Sequence, residues 1–200
     1  MKYHYTNEQV ELLETRSSKG DSTAKFAGYG AVFYDPNNPE QTEYVMSESP
    51  RYVERIKPHA FDETLNKRIK LLYEHNSDWH LDNTDSQLNL RVDQKGLYFE
   101  SPSASETDDE QCKTVANKVR RRIVRGSSIG FPDAGTKYSW TTEGNTRVCW
   151  LEKINLEEIS LVSDPAYPGT SSAIRSLKDM ELDYLKSVSK ELENEFSQMK

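Results

Sequence analysis

The chain has only two cysteines, Cys112 and Cys149, among its 200 residues. Two cysteines far apart in sequence form neither a disulfide framework nor a CxxC redox pair, so we expect two reduced thiols. Long apolar runs are also missing, because no stretch approaches the roughly 20 apolar residues that cross a bilayer. The first residues lack the apolar segment of a signal peptide. The sequence therefore predicts a soluble intracellular protein with no membrane partner.

Basic residues do not form a long cluster either. The formal net charge is −7, with 26 lysines and arginines against 33 aspartates and glutamates. The short basic group at residues 120–122 lies in a predicted amphipathic helix, where a solvated helix face explains it. Without an extended positive patch, non-specific binding to nucleic acid is not expected.

The residues that are present indicate a mainly β protein. Two hundred residues suit one domain with a sizeable core. Alternating apolar residues and turn signals predict strands at residues 24–34, 52–56, 68–75, 88–93, 97–101, 127–131, 138–142, 146–151 and 154–162. Helices are predicted at residues 59–67 and 108–124, the second ending at Gly126. The expected architecture is an all-β, barrel-like core with a few covering helices.

Residues 176–200 have a different character. They lack glycine and proline, and apolar residues recur at spacings of three and four, as at Leu185, Val188 and Leu192. This spacing predicts an amphipathic helix that packs on a partner. We therefore divide the chain into a main domain at residues 1–175 and a C-terminal helix at residues 176–200.

Two short segments about fifty residues apart offer the parts of a hydrolase. The first, residues 71–76 (LLYEHN), carries His75 at the end of an apolar run. The second, residues 125–131 (RGSSIGF), holds adjacent serines between glycines. A serine hydroxyl is a weak nucleophile until a neighbouring base takes its proton, and a histidine from another strand can do so.

These residues also have simpler explanations. A lone histidine at a strand end and a serine in a glycine turn are more often structural. The G-x-S-x-G pattern is not an α/β-hydrolase elbow, because a predicted helix precedes the serine and none follows it. His75, Asp78, His80 and Asp82 are residue types that bind zinc, but their spacing matches no tight template.

A catalytic histidine needs a third group that orients its ring and stabilises the protonated form. Glu157 and Glu158 lie in the last predicted strand, on opposite faces, and both have apolar neighbours. A buried glutamate costs free energy unless it is paired, and His75 would be such a partner. Alternation alone does not choose between the two glutamates. A Glu158 at a barrel rim, bound to lysine or water, is the alternative.

Five segments extend this pattern along the chain. They are residues 26–33 (FAGYGAVF), 54–61 (ERIKPHAF), 71–76 (LLYEHN) followed by 93–97 (DQKGL), 126–131 (GSSIGF) and 156–166 (LEEISLVSDPA). In this order they resemble the caudovirus prohead protease family, the serine proteases that mature the capsids of tailed bacteriophages. The resemblance covers roughly residues 24–170 and departs from the family at His59, where glycine is usual.

The resemblance implies a fold similar to herpesvirus assemblin: a closed, mostly antiparallel β-barrel ringed by helices. It implies a serine endopeptidase with Ser128 as nucleophile, because Ser128 stands just before x-G-F, with Ser127 as the near neighbour. His75 is implied as the general base and Glu158, rather than Glu157, as the third member. No metal or organic cofactor is implied.

The resemblance also implies partners and a location. The substrates would be segments of the major capsid protein, of the scaffolding protein and of the protease itself, cleaved inside the assembling prohead in the host cytoplasm. Residues 1–175 would be the catalytic domain and residues 176–200 a link to scaffolding sequence. Assemblin-like enzymes often dimerise, so a homo-oligomer is a further expectation. The alternative is a non-enzymatic procapsid scaffold or structural protein that has kept the fold.

Overall fold

A computed structural model describes residues 2–6, 10–16, 22–48, 50–105 and 109–163. The strands are β1 (Lys2–Thr6), β2 (Glu11–Arg16), β3 (Ser22–Val32), β4 (Tyr44–Glu48), β5 (Arg51–Ile56), β6 (Lys70–Tyr73), β7 (Asn76–Asn83), β8 (Asn89–Val92), β9 (Gly96–Ser101), β10 (Gly126–Phe131), β11 (Lys137–Glu143), β12 (Thr146–Lys153) and β13 (Glu158–Val162). The α-helices are α1 (Pro39–Thr42) and α2 (Glu110–Arg120), with short 3-10 turns at Thr64–Asn66 and Pro102–Ser105. The predicted helix at residues 176–200 lies outside the described residues.

The described strands form three sheets. Their orders are β1-β10-β13-β6-β7, β11-β12-β5-β4 and β2-β3-β9-β8. Neighbouring strands are antiparallel except in two pairs, β12–β5 and β13–β6, which are parallel.

The expected closed, assemblin-like barrel ringed by helices is wrong. None of the three sheets closes on itself, since each ends in two edge strands. Two α-helices in the described part of the chain, one of them only four residues long, do not form a ring. The protein is mainly β, but alternation reports which side chains are buried and carries no information about which strands pair.

The core packs against one face of the five-stranded sheet. Ile129 and Phe131 of β10 and Ile159 and Leu161 of β13 are fully buried in it, together with Phe26 of β3. Successive side chains of a strand point to opposite faces. The residues that alternate with them in the two strands, including Ser128 and Glu158, therefore lie on the other face of this sheet.

The helix predicted at residues 59–67 is wrong. His59 has a φ of +70°, a left-handed conformation that a right-handed helix does not contain. Only one 3-10 turn, Thr64–Asn66, forms in this segment. Phe61 is buried as expected, but Leu65, its proposed partner on the same face, is 41% exposed.

The second predicted helix is shorter than residues 108–124. Asp109 caps its start, because its carboxylate accepts hydrogen bonds from the N–H groups of Gln111 and Cys112 at 2.8 and 3.1 Å. The helix ends at Arg120, followed by Arg122 with a φ of +56°, so Gly126 is not its stop. In the part of the chain that the structure describes, no helix has the length and apolar character to span a bilayer.

Candidate active site

His75 lies in a tight turn rather than at the end of a strand. Tyr73 of β6 pairs with Asn76 of β7, so Glu74 and His75 are the two central residues of a hairpin. Their φ angles are +52° and +55°. Positive φ at both central positions is the signature of a type I′ turn, which usually contains asparagine and glycine. Here the two central positions are occupied by a glutamate and a histidine instead.

Three hydrogen bonds attach this turn to β13 and to Ser163, the residue that follows it. The N–H of Glu74 donates to the carbonyl of Leu161 at 3.0 Å, and the N–H of His75 donates to Oγ of Ser160 at 3.0 Å. The carboxylate of Glu74 accepts a hydrogen bond from the N–H of Ser163 at 2.8 Å. These bonds fix the backbone of the turn in its left-handed conformation.

The ring of His75 is bound to Glu158. Nδ1 of His75 lies 2.5 Å from Oε1 of Glu158, and the side chains are only 12% and 9% exposed. A hydrogen bond from an imidazole N–H to a buried carboxylate orients the ring and stabilises its protonated form. Nε2, the other ring nitrogen, is also buried.

Gly130 leaves the space in which the Glu158 carboxylate lies. The two residues are directly opposite in the β10–β13 pair. A Cβ added at residue 130 would come within 2.6 Å of both Cγ and Oε1 of Glu158. The carboxyl group therefore folds over the backbone of β10, and any side chain at residue 130 would displace it.

Ser128 occupies the middle of β10, between β1 and β13. It is opposite Ser160, the same residue that binds the backbone of His75, and it shares its face of the sheet with Gly130 and Glu158. Its side chain is fully buried. Within the described residues, Oγ of Ser128 forms no hydrogen bond, so the structure joins His75 to Glu158 but not to Ser128. Catalytic hydrogen bonds often tighten only when substrate binds.

The two alternatives to these residues lie elsewhere. Oγ of Ser127 donates to the carbonyl of Tyr29 at 2.6 Å, on the opposite face of β10. Glu157 is exposed, whereas Glu158 is buried against the imidazole. The local geometry favours Ser128 over Ser127 and Glu158 over Glu157.

The four residues considered for zinc have separate surroundings. Asp82 accepts a hydrogen bond from Oγ of Ser101 at 2.5 Å, and Asp78 is exposed. His80 is half-buried on β7 opposite Leu72. The described residues contain no group of three or more acidic, histidine or cysteine side chains that fits a metal ion.

Sequence reasoning missed the roles of Gly130, Ser160 and Glu74. The G-x-S-x-G pattern drew attention to the serine, although its second glycine serves the glutamate on the next strand. The E-I-S segment held both Glu158 and Ser160, but no pattern in the sequence indicates that a hydroxyl two residues away binds the backbone of the histidine.

A serine on the same face of a sheet as a histidine–carboxylate pair offers the three groups that a serine hydrolase uses. The family model of the caudovirus prohead serine proteases matches residues 11–183 of the chain. The protein belongs to that family, which confirms the resemblance. It is thus placed among the bacteriophage proteases of capsid maturation, which act in the assembling prohead. No curated protein and no solved structure matches the chain.

Proposed function

We propose that this protein is a serine endopeptidase that uses Ser128, His75 and Glu158 to cleave proteins of the prohead. The observation that carries the proposal is the 2.5 Å contact between Nδ1 of His75 and Oε1 of Glu158. It lies on the face of the sheet that also carries Ser128, one strand away from Glu158. A buried carboxylate of this kind gives an imidazole the orientation and basicity that a serine needs.

In the proposed reaction, Oγ of Ser128 attacks the carbonyl carbon of the scissile peptide while Nε2 of His75 takes the hydroxyl proton. Glu158 stabilises the resulting imidazolium through Nδ1. The tetrahedral intermediate collapses when His75 gives the proton to the leaving amine. A water molecule, deprotonated by His75, then hydrolyses the acyl-enzyme. Backbone N–H donors near the serine or in the following loop would stabilise the oxyanion.

The proposed substrates are segments of the scaffolding protein and the major capsid protein, and the protease itself. Membership of the prohead protease family supports association with the procapsid. Residues 1–175 would carry the catalysis and residues 176–200 would connect it to scaffolding sequence. The proposed mechanism uses only groups of the protein and water. A homo-oligomer is also proposed, and the oligomeric state of the purified protein tests it.

Co-expression with the cognate capsid protein tests the function. Intact mass should show a shortened capsid protein with the wild-type chain and an uncut one with Ser128→Ala. Ser127→Ala is the matched control, because it removes the neighbouring hydroxyl on the opposite face, and it should retain cleavage. A dead Ser127 variant and an active Ser128 variant would mean that the nucleophile is misassigned.

Labelling with a fluorophosphonate separates the protease from a structural protein that has kept the fold. The reagent reacts with an activated serine and leaves an ordinary buried serine unmodified. Peptide mass mapping should place the adduct on Ser128, and His75→Ala should abolish it. An unlabelled wild-type protein that still assembles into proheads would support the structural alternative.

A further inference from the structure

We propose that Ser160 is a positioning residue, which fixes the backbone of His75 so that its ring stays in line with Ser128. The inference rests on the proposed function and adds a fourth residue to it. Ser160 is fully buried in β13, and its Oγ accepts the N–H of His75 at 3.0 Å. Its strand, β13, lies between β10, which carries Ser128, and β6, which leads into the turn of His75. Ser160 is directly opposite Ser128 in the β10–β13 pair.

The turn that carries His75 needs such an anchor. Both of its central residues, Glu74 and His75, have positive φ angles. This conformation is unfavourable for residues with a Cβ. Asparagine and glycine, which usually occupy these turn positions, are not present here. Residues held in sparsely populated conformations persist only when surrounding contacts hold them there. The bonds to β13 and to Ser163 are among those contacts.

Ser160 differs from the other anchors of the turn. Leu161 contributes a backbone carbonyl, which no substitution of its side chain removes, and Ser163 contributes a backbone N–H to the carboxylate of Glu74. Ser160 contributes a side chain, and it binds His75 itself. It is therefore the anchor of His75 whose removal can be tested by a single substitution on β13.

One strand consequently holds His75 at two points. Glu158 binds the ring at Nδ1, and Ser160, two residues along on the same face, binds the main-chain N–H. A bond to the ring alone still allows the whole residue to swing about the carboxylate. The second bond, together with the bond from Glu74 to Leu161, restricts that freedom, and we expect it to keep Nε2 within reach of Oγ of Ser128. Misplacement of a reacting group by about 1 Å lowers a rate by about 100-fold.

Fluorophosphonate labelling of the full chain measures this effect without a known substrate. For Ser160→Ala we expect the maximal labelling rate to fall by about 10- to 100-fold while the reagent concentration at half-maximal rate stays unchanged. Ser160→Thr keeps the hydroxyl and should restore most of the rate. Ser101→Ala is the matched control, because Ser101 is another fully buried serine, bonded to Asp82 in another part of the molecule, and it should label at the wild-type rate.

A wild-type labelling rate in a folded Ser160→Ala variant would overturn the inference, as would an equal loss in the threonine variant. Failure of the wild-type protein to label at all would count against the proposed function instead. Amide hydrogen exchange provides a second test, on the wild-type protein alone. The N–H of His75 should be protected in the wild-type protein, and exchange at the rate of an open turn would contradict the anchor even if Ser160→Ala does not fold.

Discussion

At the scale of single residues, the space above Gly130 decides where the Glu158 carboxylate lies. Cγ and Oε1 of Glu158 occupy the volume that a side chain at residue 130 would fill. From there Oε1 reaches Nδ1 of His75. The second glycine of G-x-S-x-G therefore acts on the third member of the proposed triad.

Gly130→Ala should abolish most of the activity and leave the fold intact. The new Cβ would lie 2.6 Å from the carboxyl group, so Glu158 must move and loses its alignment with the imidazole. We expect the cleavage rate to fall by at least about tenfold. A thermal melt of the same variant shows whether it is folded. Gly30→Ala is the control, since the three atoms nearest to its Cβ would belong to the side chain of Ile159, the closest at 3.2 Å. An active Gly130→Ala variant would show that Glu158 tolerates displacement.

Glu158→Gln removes the charge that stabilises the imidazolium and keeps the shape of the side chain. We expect kcat to fall by about 10- to 10⁴-fold, because an orienting carboxylate matters less uniformly than the nucleophile or the base. Glu157→Gln, on the exposed neighbour, should change kcat little. Comparable losses in both variants would indicate a general effect on β13 and would remove the case for Glu158.

At the scale of elements, α2 depends on its N-terminal cap. The helix buries Cys112, Val115, Ala116 and Val119, and Asp109 satisfies two of its free N–H groups. Asp109→Ala should lower the free energy of unfolding by about 0.5–2 kcal/mol, as read from urea denaturation. Asp109→Asn keeps an accepting oxygen and should lose little. Equal stability of the alanine variant and the wild type would mean that packing alone holds the helix.

The second sheet contains a buried tyrosine–carboxylate pair away from the proposed active site. The hydroxyl of Tyr52 donates to Oε1 of Glu54 at 2.5 Å, and Glu54 is fully buried. Burial, and then the charge of Glu54, raise the pKa of Tyr52 well above its usual range. The tyrosine therefore stays protonated and remains a donor to the carboxylate.

Tyr52→Phe should destabilise the protein by about 1–3 kcal/mol, because a buried carboxylate loses a hydrogen-bond donor. Tyr98→Phe is a matched control in which a tyrosine also stands two residues before a glutamate. Its hydroxyl is 3.5 Å from the partly exposed Glu100, so we expect a change within about 0.5 kcal/mol. Chemical denaturation of both variants provides the comparison, and the reverse order of stabilities would contradict this account.

At the scale of the whole molecule, the site exists because of the order of strands in one sheet. Ser128 on β10, Glu158 and Ser160 on β13, and His75 after β6 come together because these strands are neighbours in the order β10-β13-β6. The β13–β6 pair is parallel and joins strands more than eighty residues apart in sequence. Errors in this pairing during folding would separate the histidine from the serine.

A metal chelator should leave the cleavage rate unchanged. Asp82 is engaged with Ser101 and His75 with Glu158, so two of the four candidate zinc ligands already form other bonds. The measurement is the rate of capsid-protein cleavage before and after incubation with EDTA. Strong inhibition that added zinc reverses would favour a metal site over the proposed triad.

Local patterns predicted strands such as β8, in which the half-buried Leu90 and Val92 alternate with exposed residues, because alternation is a property of a few neighbouring residues. Strand β7 was not predicted, since it begins with exposed polar residues, Asn76, Ser77 and Asp78. The prediction of a helix at residues 59–67 was wrong because a pattern was present where no α-helix forms. Its apolar spacing was suitable, but the left-handed His59 gave no signal in the pattern.

The sequence by itself determined the chemical groups, the mainly β character and the family, because residue types, their spacing and their order along the chain carry this information. Only the tertiary structure decided that the sheets stay open and that His75 lies in a left-handed turn held by Ser160. Alternation left both glutamates open and the family resemblance favoured Glu158, whose contact with the imidazole is seen only in the tertiary structure. The physical reason is that a period of two is the same whichever strand lies alongside, so partners distant in sequence are chosen only when all the sheets pack together.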